Sequence, residues 1–261
     1  MAQAGTARPV WVVDADDAAC AIDRERAAEL GLKCVTRAPE AGFYIARDEH
    51  GLALHHAADA AGAALRCALA DPTELANRQT SRQAGGRRSP LARAFGLHRH
   101  PPARVLDTTA GLARDAATLA SLGCEVTAIE RQPVLYALIA DATHQLDLST
   151  QPPGWWPHWH PPIYADARCW LAEFPAAAFD AIYIDPMFAS PRRKSAPQKA
   201  LAWLAELAGR DDDAPALLDI ARTRAARRVV VKQHARAAPI APPDLQIRGR
   251  AIRFDIYLTA S

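Results

Sequence analysis

The sequence predicts an α/β protein: a mostly parallel, doubly wound sheet finished by an antiparallel hairpin, with a small α+β unit ahead of it. Three observations carry this. From Arg104 onward, short apolar runs alternate with helical patterns, and such alternation implies parallel strands joined by right-handed crossovers. The last two apolar runs, Leu245 to Arg248 and Ile252 to Leu258, meet across Gly249-Arg250 and read as a hairpin. Half of the 261 residues are apolar, enough to bury a full α/β core and a smaller appendage.

In chain order, Pro9 to Asp14 reads as a strand and Ala18 to Leu30 as an amphipathic helix ending at Gly31. Phe43 to Arg47 and Leu52 to His56 flank the turn Asp48-Glu49-His50-Gly51, a hairpin pattern, and Ala63 to Ala68 is expected to add a strand. Between Glu74 and Asp107 no acid occurs, while Arg78, Arg82, Arg87, Arg88, Arg93, Arg99 and Arg104 all fall there. Gly85-Gly86 is its flexible point, and Ser89-Pro90 marks the cap and first turn of a short helix. Buried strands are expected at Val105 to Thr108, Glu125 to Ile129, Ile163 to Ala165, Ala181 to Asp185 and Val229 to Lys232. Helices fill the gaps at Ala113 to Leu122, Val134 to Leu146, Lys199 to Ala208 and Ala216 to Ala225, and the Trp/Pro-rich stretch Pro152 to Pro162 reads as an insertion loop. The expected organisation is a small α+β domain over 1–76, a basic linker with a short helix over 77–103, and an α/β domain over 104–261.

Composition narrows the function. Thirty-one basic against 29 acidic residues leave a net charge of +2, so a nucleic-acid footprint must come from local clustering. The five cysteines are scattered and never spaced C-x-x-C, which fits a reducing cytoplasm rather than a disulfide framework or zinc ribbon. The short run Val10 to Val13 meets Asp14, Asp16 and Asp17 at once, unlike the apolar core of a signal peptide, and no stretch approaches a membrane span. A cytoplasmic protein without a membrane association is expected.

The chemistry gathers at strand ends. Arg104-Val105-Leu106-Asp107 runs into Thr108-Thr109-Ala110-Gly111 and then a helix. Small residues there admit a ligand to the backbone, and the helix N-terminus offers N–H donors to a carboxylate. The absence of G-x-G-x-x-G argues against a dinucleotide pyrophosphate. Glu130 ends the next strand, where an acid accepts both hydroxyls of a ribose or else caps the helix beginning near Pro133. Asp166 holds the equivalent place after the third strand, and three acids at three strand ends are hard to explain as caps. The sharpest motif is Ile182-Tyr183-Ile184-Asp185-Pro186-Met187-Phe188. It resembles the Asp/Asn-Pro-Pro-Tyr/Phe motif of amino-group methyltransferases, with Met187 in place of the second proline. An amine conjugated to a base is a poor nucleophile. The Asp185 carboxylate and the Pro186 carbonyl, accepting its N–H groups, favour a pyramidal nitrogen and the charge that develops on it. Phe188 is placed to stack on the extracted base.

The runs Leu106 to Ala116, Leu122-Gly123-Cys124, Glu130 to Pro133, Tyr183 to Phe188, Arg228 to Lys232 and Arg253 to Tyr257 together resemble the ribosomal RNA small subunit methyltransferase J family. The similarity spans about Gly85 to Tyr257. The resemblance implies a class I, Rossmann-like methyltransferase domain that uses S-adenosyl-L-methionine, yields S-adenosyl-L-homocysteine, and methylates the N2 amine of a guanine in bacterial 16S rRNA. It implies that Arg114 with Asp115, Glu130 with Arg131, Asp166 with Ala167, and Asp185 line the cofactor site, beside Asp107 and Gly111. This sequence departs from the family at Ala113, where the loop tends to carry Gly, and at Asp166-Ala167, where small hydroxyl residues are usual.

Arg192-Arg193-Lys194, close after Phe188, and Arg87-Arg88 in the acid-free segment are expected to hold the RNA backbone. His158-Trp159-His160 lacks a nearby Cys or carboxylate to complete a metal site, so no metal is expected. The expected partner is 16S rRNA or the small ribosomal subunit, and the expected state is a monomer. Two other functions share the motifs. An amino-methyltransferase acting on adenine N6 or a protein glutamine amide usually carries Asn first and a second proline, which Asp185 and Met187 are not. A non-catalytic rRNA-binding assembly protein on a decayed fold fits poorly with intact acids at four strand ends.

Overall fold

A computed structural model describes residues 9–12, 20–59, 62–67, 69, 86–99, 103–186, 202–204, 206–207 and 212–259. The N-terminal unit consists of β1 (Val10–Val12), α1 (Cys20–Glu29), β2 (Lys33–Val35), β3 (Phe43–Asp48) and β4 (Gly51–His56). These strands form a four-stranded sheet in the order β2-β1-β3-β4. The expected hairpin is β3-β4, paired antiparallel from Phe43↔His56 to Asp48↔Gly51, with Gly51 at φ +96° to close the turn. Strand β2, unforeseen, lies parallel to β1. Of the strand expected at Ala63 to Ala68, residues 63–67 show a single antiparallel bridge, Leu65 to Leu54, and Ala68 lies outside the described residues. Ala63 and Ala64 offer little side chain for cross-strand packing.

Ser89 caps α2 (Pro90–Ala94) by accepting the Ala92 N–H at 3.2 Å, with Pro90 in the first turn. The main sheet is built from β5 (Arg104–Asp107), α3 (Arg114–Ser121), β6 (Glu125–Glu130), α4 (Pro133–Asp147), β7 (Ile163–Tyr164), α5 (Ala167–Glu173), β8 (Phe179–Ile184), α6 (Ala214–Arg224), β9 (Ala225–His234), β10 (Leu245–Arg248) and β11 (Ile252–Leu258). Its seven strands run in the order β10-β11-β9-β8-β5-β6-β7. β5 to β9 pair parallel, and the β10-β11 hairpin joins the β9 edge antiparallel. Helix α5 was not anticipated. The helix expected at Lys199 to Ala208 is helical at 202–204 and 206–207, and its other residues lie outside those described.

The sheet is covered on both faces, which is why its strands read as continuous apolar runs. Alternate residues feed two cores: Val105, Val126, Ala181, Tyr183 and Val230 to one, Leu106, Ile129, Ile182, Val229 and Val231 to the other. Helix α4 is buried on several sides, including Leu135, Leu138, Ile139 and Asp141, because it lies between the main sheet and the β3-β4 hairpin. Trp11, Phe43, Ile45 and Leu54 share one core with it. Asp141 fixes this contact by accepting the Leu52 N–H at 2.9 Å and Arg47 Nη2 at 2.6 Å. The Trp/Pro stretch is packed rather than an insertion loop. Trp155 and Trp159 are buried, Trp159 bridges to Val126, and its indole N–H donates to Thr143 Oγ1 at 3.2 Å. Large apolar rings override the loop-like composition of this segment. Among the described residues no helix is long and apolar enough to cross a membrane.

Candidate active site

Strand β5 has β6 on one side and β8 on the other, so the chain reverses its winding direction there and leaves a crevice beyond the carboxyl ends of the strands. A cavity of about 430 Å³ opens at this place. Every residue assigned to the cofactor borders it, Gly111, Arg114 and Ala167 included, as does Pro186.

Two loops are tied together at its floor. The Thr108 N–H and hydroxyl both donate to the Tyr183 carbonyl, at 3.0 and 2.7 Å. The Asp185 N–H donates to Thr109 Oγ1 at 2.7 Å. The turn after β5 thereby fixes the backbone of the Asp185-Pro186 pair after β8. Gly111 turns at φ +57°, and its N–H reaches Glu130 Oε2 at 2.7 Å. Glu130 Oε1 accepts the Gln132 N–H at 2.7 Å. Helix α4 is N-capped at Gln132 without a side-chain cap bond, so Glu130 braces the glycine turn as well as the entry to the helix. Ala113 precedes α3 at φ +58°, left-handed backbone where glycine is at ease and a Cβ costs about 1 kcal/mol or more.

Asp166 corrects the expectation that the strand-end acids are not caps. It is the N-cap of α5, accepting the Arg168 N–H at 2.9 Å. Arg168 Nη2 also reaches it at 2.8 Å, and this side-chain bond is the main cause that lowers the carboxyl to about 2. Arg131 pairs with Asp213 at 2.6 Å, and Asp213 lies 3.2 Å from Arg168 Nε, a chain of charges along one side of the cavity.

The cavity also holds an acid cluster. Asp107 is 2% exposed and accepts the Thr109 N–H at 3.0 Å. Burial, reinforced by the fields of Asp115, Asp185 and Glu130, pushes its carboxyl up to about 8. Asp115 Oδ2 accepts the Tyr183 hydroxyl at 2.7 Å and Lys232 Nζ at 2.8 Å. Lys232 Nζ also reaches Asp185 Oδ2 at 2.7 Å. Burial disfavours the ammonium, but the two carboxylates outweigh it and hold the lysine charged.

Lys232, Tyr183 and Thr109 were not singled out from sequence. The available signal for Lys232 was a cation closing an apolar strand in the layer of the strand-end acids. Phe188, Met187, Arg192, Arg193 and Lys194 lie outside the described residues. Arg87 and Arg88 fall in a 3-10 turn, Gly86–Arg88, ahead of α2, which packs on β10 and β11. Arg88 is exposed and is not among the cavity-lining residues, and the side chain of Arg87 lies outside those described. Among the described residues no group of three or more His, Cys, Asp or Glu side chains is placed to hold a metal ion.

The cavity fits a cationic nucleoside carrying an amino acid. Its size lies within the usual range for small-molecule sites, it is rich in carboxyl groups, and Leu112, Leu135 and Leu217 supply apolar wall. A doubly wound parallel sheet closed by an antiparallel hairpin, with an acid-lined cavity at its switch point, defines a class I S-adenosylmethionine-dependent methyltransferase.

Comparison with known proteins extends this. Residues 27–259 match the family model described as "Putative SAM-dependent methyltransferase". The ribosomal RNA small subunit methyltransferase J of Alkalilimnicola ehrlichii is 39% identical over 265 residues, covering 96% of each chain. That of Laribacter hongkongensis is 37% identical over 245 residues, covering 88% of this chain and 80% of the relative. The crystal structure of a SAM-dependent methyltransferase from Neisseria gonorrhoeae superposes with a TM-score of 0.71 at 26% identity, covering 96% of this chain and 95% of that one. The chain belongs to the ribosomal RNA small subunit methyltransferase J family.

Proposed function

We propose that the protein transfers a methyl group from S-adenosyl-L-methionine to the exocyclic N2 amine of a guanine in bacterial 16S rRNA, either naked or in the small ribosomal subunit, releasing S-adenosyl-L-homocysteine. The observation that carries this reading is the placement of Asp185-Pro186. The pair sits at the end of β8, anchored by Thr109 and Lys232, at the cavity bordered by the strand-end acids. The names of the relatives supply the substrate class, and the family resemblance supplies the N2 position.

When bound, the cofactor supplies an electrophilic methyl group on a sulfonium. Glu130 accepts hydrogen bonds from the ribose hydroxyls while bracing the Gly111 turn. The N-terminus of α3, with Arg114 and Asp115 in its first turn, receives the amino-acid end. Asp107 would support the turn after β5 that carries the cofactor, Arg131 would border its ribose, and Asp166 with Ala167 would border its adenine. The Asp185 carboxylate and the Pro186 carbonyl accept the two N–H groups of the target amine. This turns its lone pair toward the methyl group and stabilises the positive charge growing on nitrogen. Phe188 stacks on the extracted guanine, while Arg87, Arg88, Arg192, Arg193 and Lys194 hold phosphates.

Mass mapping of 16S rRNA from a deletion strain tests the proposal. One N2-methylguanosine should disappear, and it should return with the wild-type gene but not with Asp185→Ala. An unchanged pattern of methylated guanines would overturn the assignment.

A further inference from the structure

Lys232 closes the run Val229-Val230-Val231 in the middle of the sheet, where a cation pays a desolvation cost that neighbouring valines avoid. Strand β9 pairs parallel with β8, Ile184 against Val231, so Lys232 stands opposite Asp185. Its Nζ lies 2.7 Å from Asp185 Oδ2 and 2.8 Å from Asp115 Oδ2. Asp115 is in turn fixed by the Tyr183 hydroxyl.

The charges around Asp185 make this pairing consequential. Asp115 from α3 and Glu130 from β6 crowd the same cavity, and Asp107 from β5, its carboxyl pushed up to about 8, adds its charge as pH rises. Each negative charge raises the cost of creating another, and closely spaced carboxyl groups respond by retaining a proton. Arg114 and Arg131 also border the cavity, the latter pairing with Asp213. A carboxyl group that keeps its proton loses its charge and turns one of its two acceptor oxygens into an O–H donor. Offered to the target amine, that donor would engage the lone pair needed for attack.

We propose that Lys232 is a positioning residue for methyl transfer: its ammonium, shared between Asp185 and Asp115, keeps Asp185 an ionised, oriented acceptor for the amine N–H. This rests on the role given to Asp185 above. Tyr183 steadies the arrangement through Asp115, and the loss of either charge partner is felt at Asp185.

The test is the pH dependence of turnover at saturating cofactor and 16S rRNA. In Lys232→Met, the acid limb should move up by about one pH unit or more, so that kcat measured on the limb falls about tenfold per unit of displacement and recovers as pH rises. The KM for RNA should stay within about twofold of wild type. Lys232→Arg should restore the limb. Asp115→Asn, which removes a competing negative charge and leaves the ammonium to Asp185, should move the limb down, and it keeps the test available if the methionine variant does not fold. A second readout needs no turnover. With 13C-labelled aspartate carboxyl carbons in the unliganded protein, the signal missing in Asp185→Asn should titrate at higher pH in Lys232→Met. An unmoved limb and an unmoved titration, or equal loss at every pH, would overturn the role of Lys232. Full turnover in Asp185→Ala would instead overturn the reading of Asp185 itself.

Discussion

The Gly111 N–H donates to Glu130 Oε2 at 2.7 Å, so the acid at the end of β6 holds the turn at the end of β5. With Oε1 occupied by the Gln132 N–H, the carboxylate is fixed in place before any ligand arrives. Glu130→Ala loses the brace together with the proposed ribose acceptor. At roughly 1.5–3 kcal/mol per charge-assisted bond, S-adenosylmethionine affinity should fall at least tenfold, and the melting temperature should fall with it. Glu130→Gln keeps one acceptor oxygen and should lie between. Calorimetry checks both, and an unchanged Kd in the alanine variant removes the ribose assignment.

Asp107 should make the unliganded fold less stable as pH rises. Its carboxyl titrates near 3.8 in an unfolded chain and, pushed up by burial, at about 8 in the fold. Below the lower value both states hold the proton and the group costs nothing. Between the two values the unfolded chain releases its proton first, so stability falls with rising pH, and it levels off above the upper value. Asp107→Asn retains an acceptor for the Thr109 N–H and cannot ionise. Urea unfolding should find it more stable than wild type at pH 8 by roughly 2 kcal/mol or more, with about 1.4 kcal/mol per pH unit of displacement as a ceiling, and equal to wild type near pH 4. Parallel stability curves for the two proteins would contradict this.

The acids at the strand ends were legible because α/β topology decides where a strand end must lie, whatever the order of the strands. The pairings among them were not. Lys232 meets Asp185 only because β9 lies beside β8, and alternation of strands and helices does not reveal sheet order. The capping role of Asp166 is not legible because α5, with seven residues, is too short for a clear helical period. Strand β2, with three residues, offers no alternation to read. In the Trp/Pro stretch composition misled, since a segment with a turn-like sequence can still bury Trp159. Ala113 shows the reverse. Its departure from the family's glycine falls where the backbone is left-handed, so the local rule broken in sequence is also broken in the structure.

Removing the carboxylate of Asp141 should loosen the N-terminal unit from α4. Its side chain is 4% exposed, and it satisfies Leu52 N–H, Arg47 and Gln145 Nε2 together. Arg47 keeps Asp23 as a second partner at 2.7 Å, so Asp141→Ala leaves the guanidinium half-paired and the Leu52 N–H unsatisfied. A loss of about 2–4 kcal/mol is expected in urea unfolding. Hydrogen exchange should quicken in β3 and β4 ahead of β5 and β8. A variant as stable as wild type would show that this contact contributes little.

Asp185 is where the proposed chemistry is most exposed. Its backbone is held by Thr109 and its Oδ2 by Lys232, so the carboxylate is oriented before the amine enters. An acceptor used mainly in the transition state affects kcat more than binding. Asp185→Ala should therefore bind RNA nearly as wild type yet lose about a hundred- to a thousandfold in rate, the usual cost of one preorganised electrostatic partner. Asp185→Asn is the finer test. Its amide oxygen still accepts the amine N–H but without charge, and its NH2 group cannot accept from Lys232, so it should fall between alanine and wild type. Phe188→Ala should lose stacking worth roughly 1–3 kcal/mol, with Phe188→Tyr restoring it. Circular dichroism and melting temperature must accompany each rate, because Asp185 also neutralises Lys232 and its loss could act through the fold. A well-folded Asp185→Ala protein that turns over at the wild-type rate would remove the amine acceptor from the mechanism, while loss of rate together with loss of fold would place Asp185 in the scaffold instead.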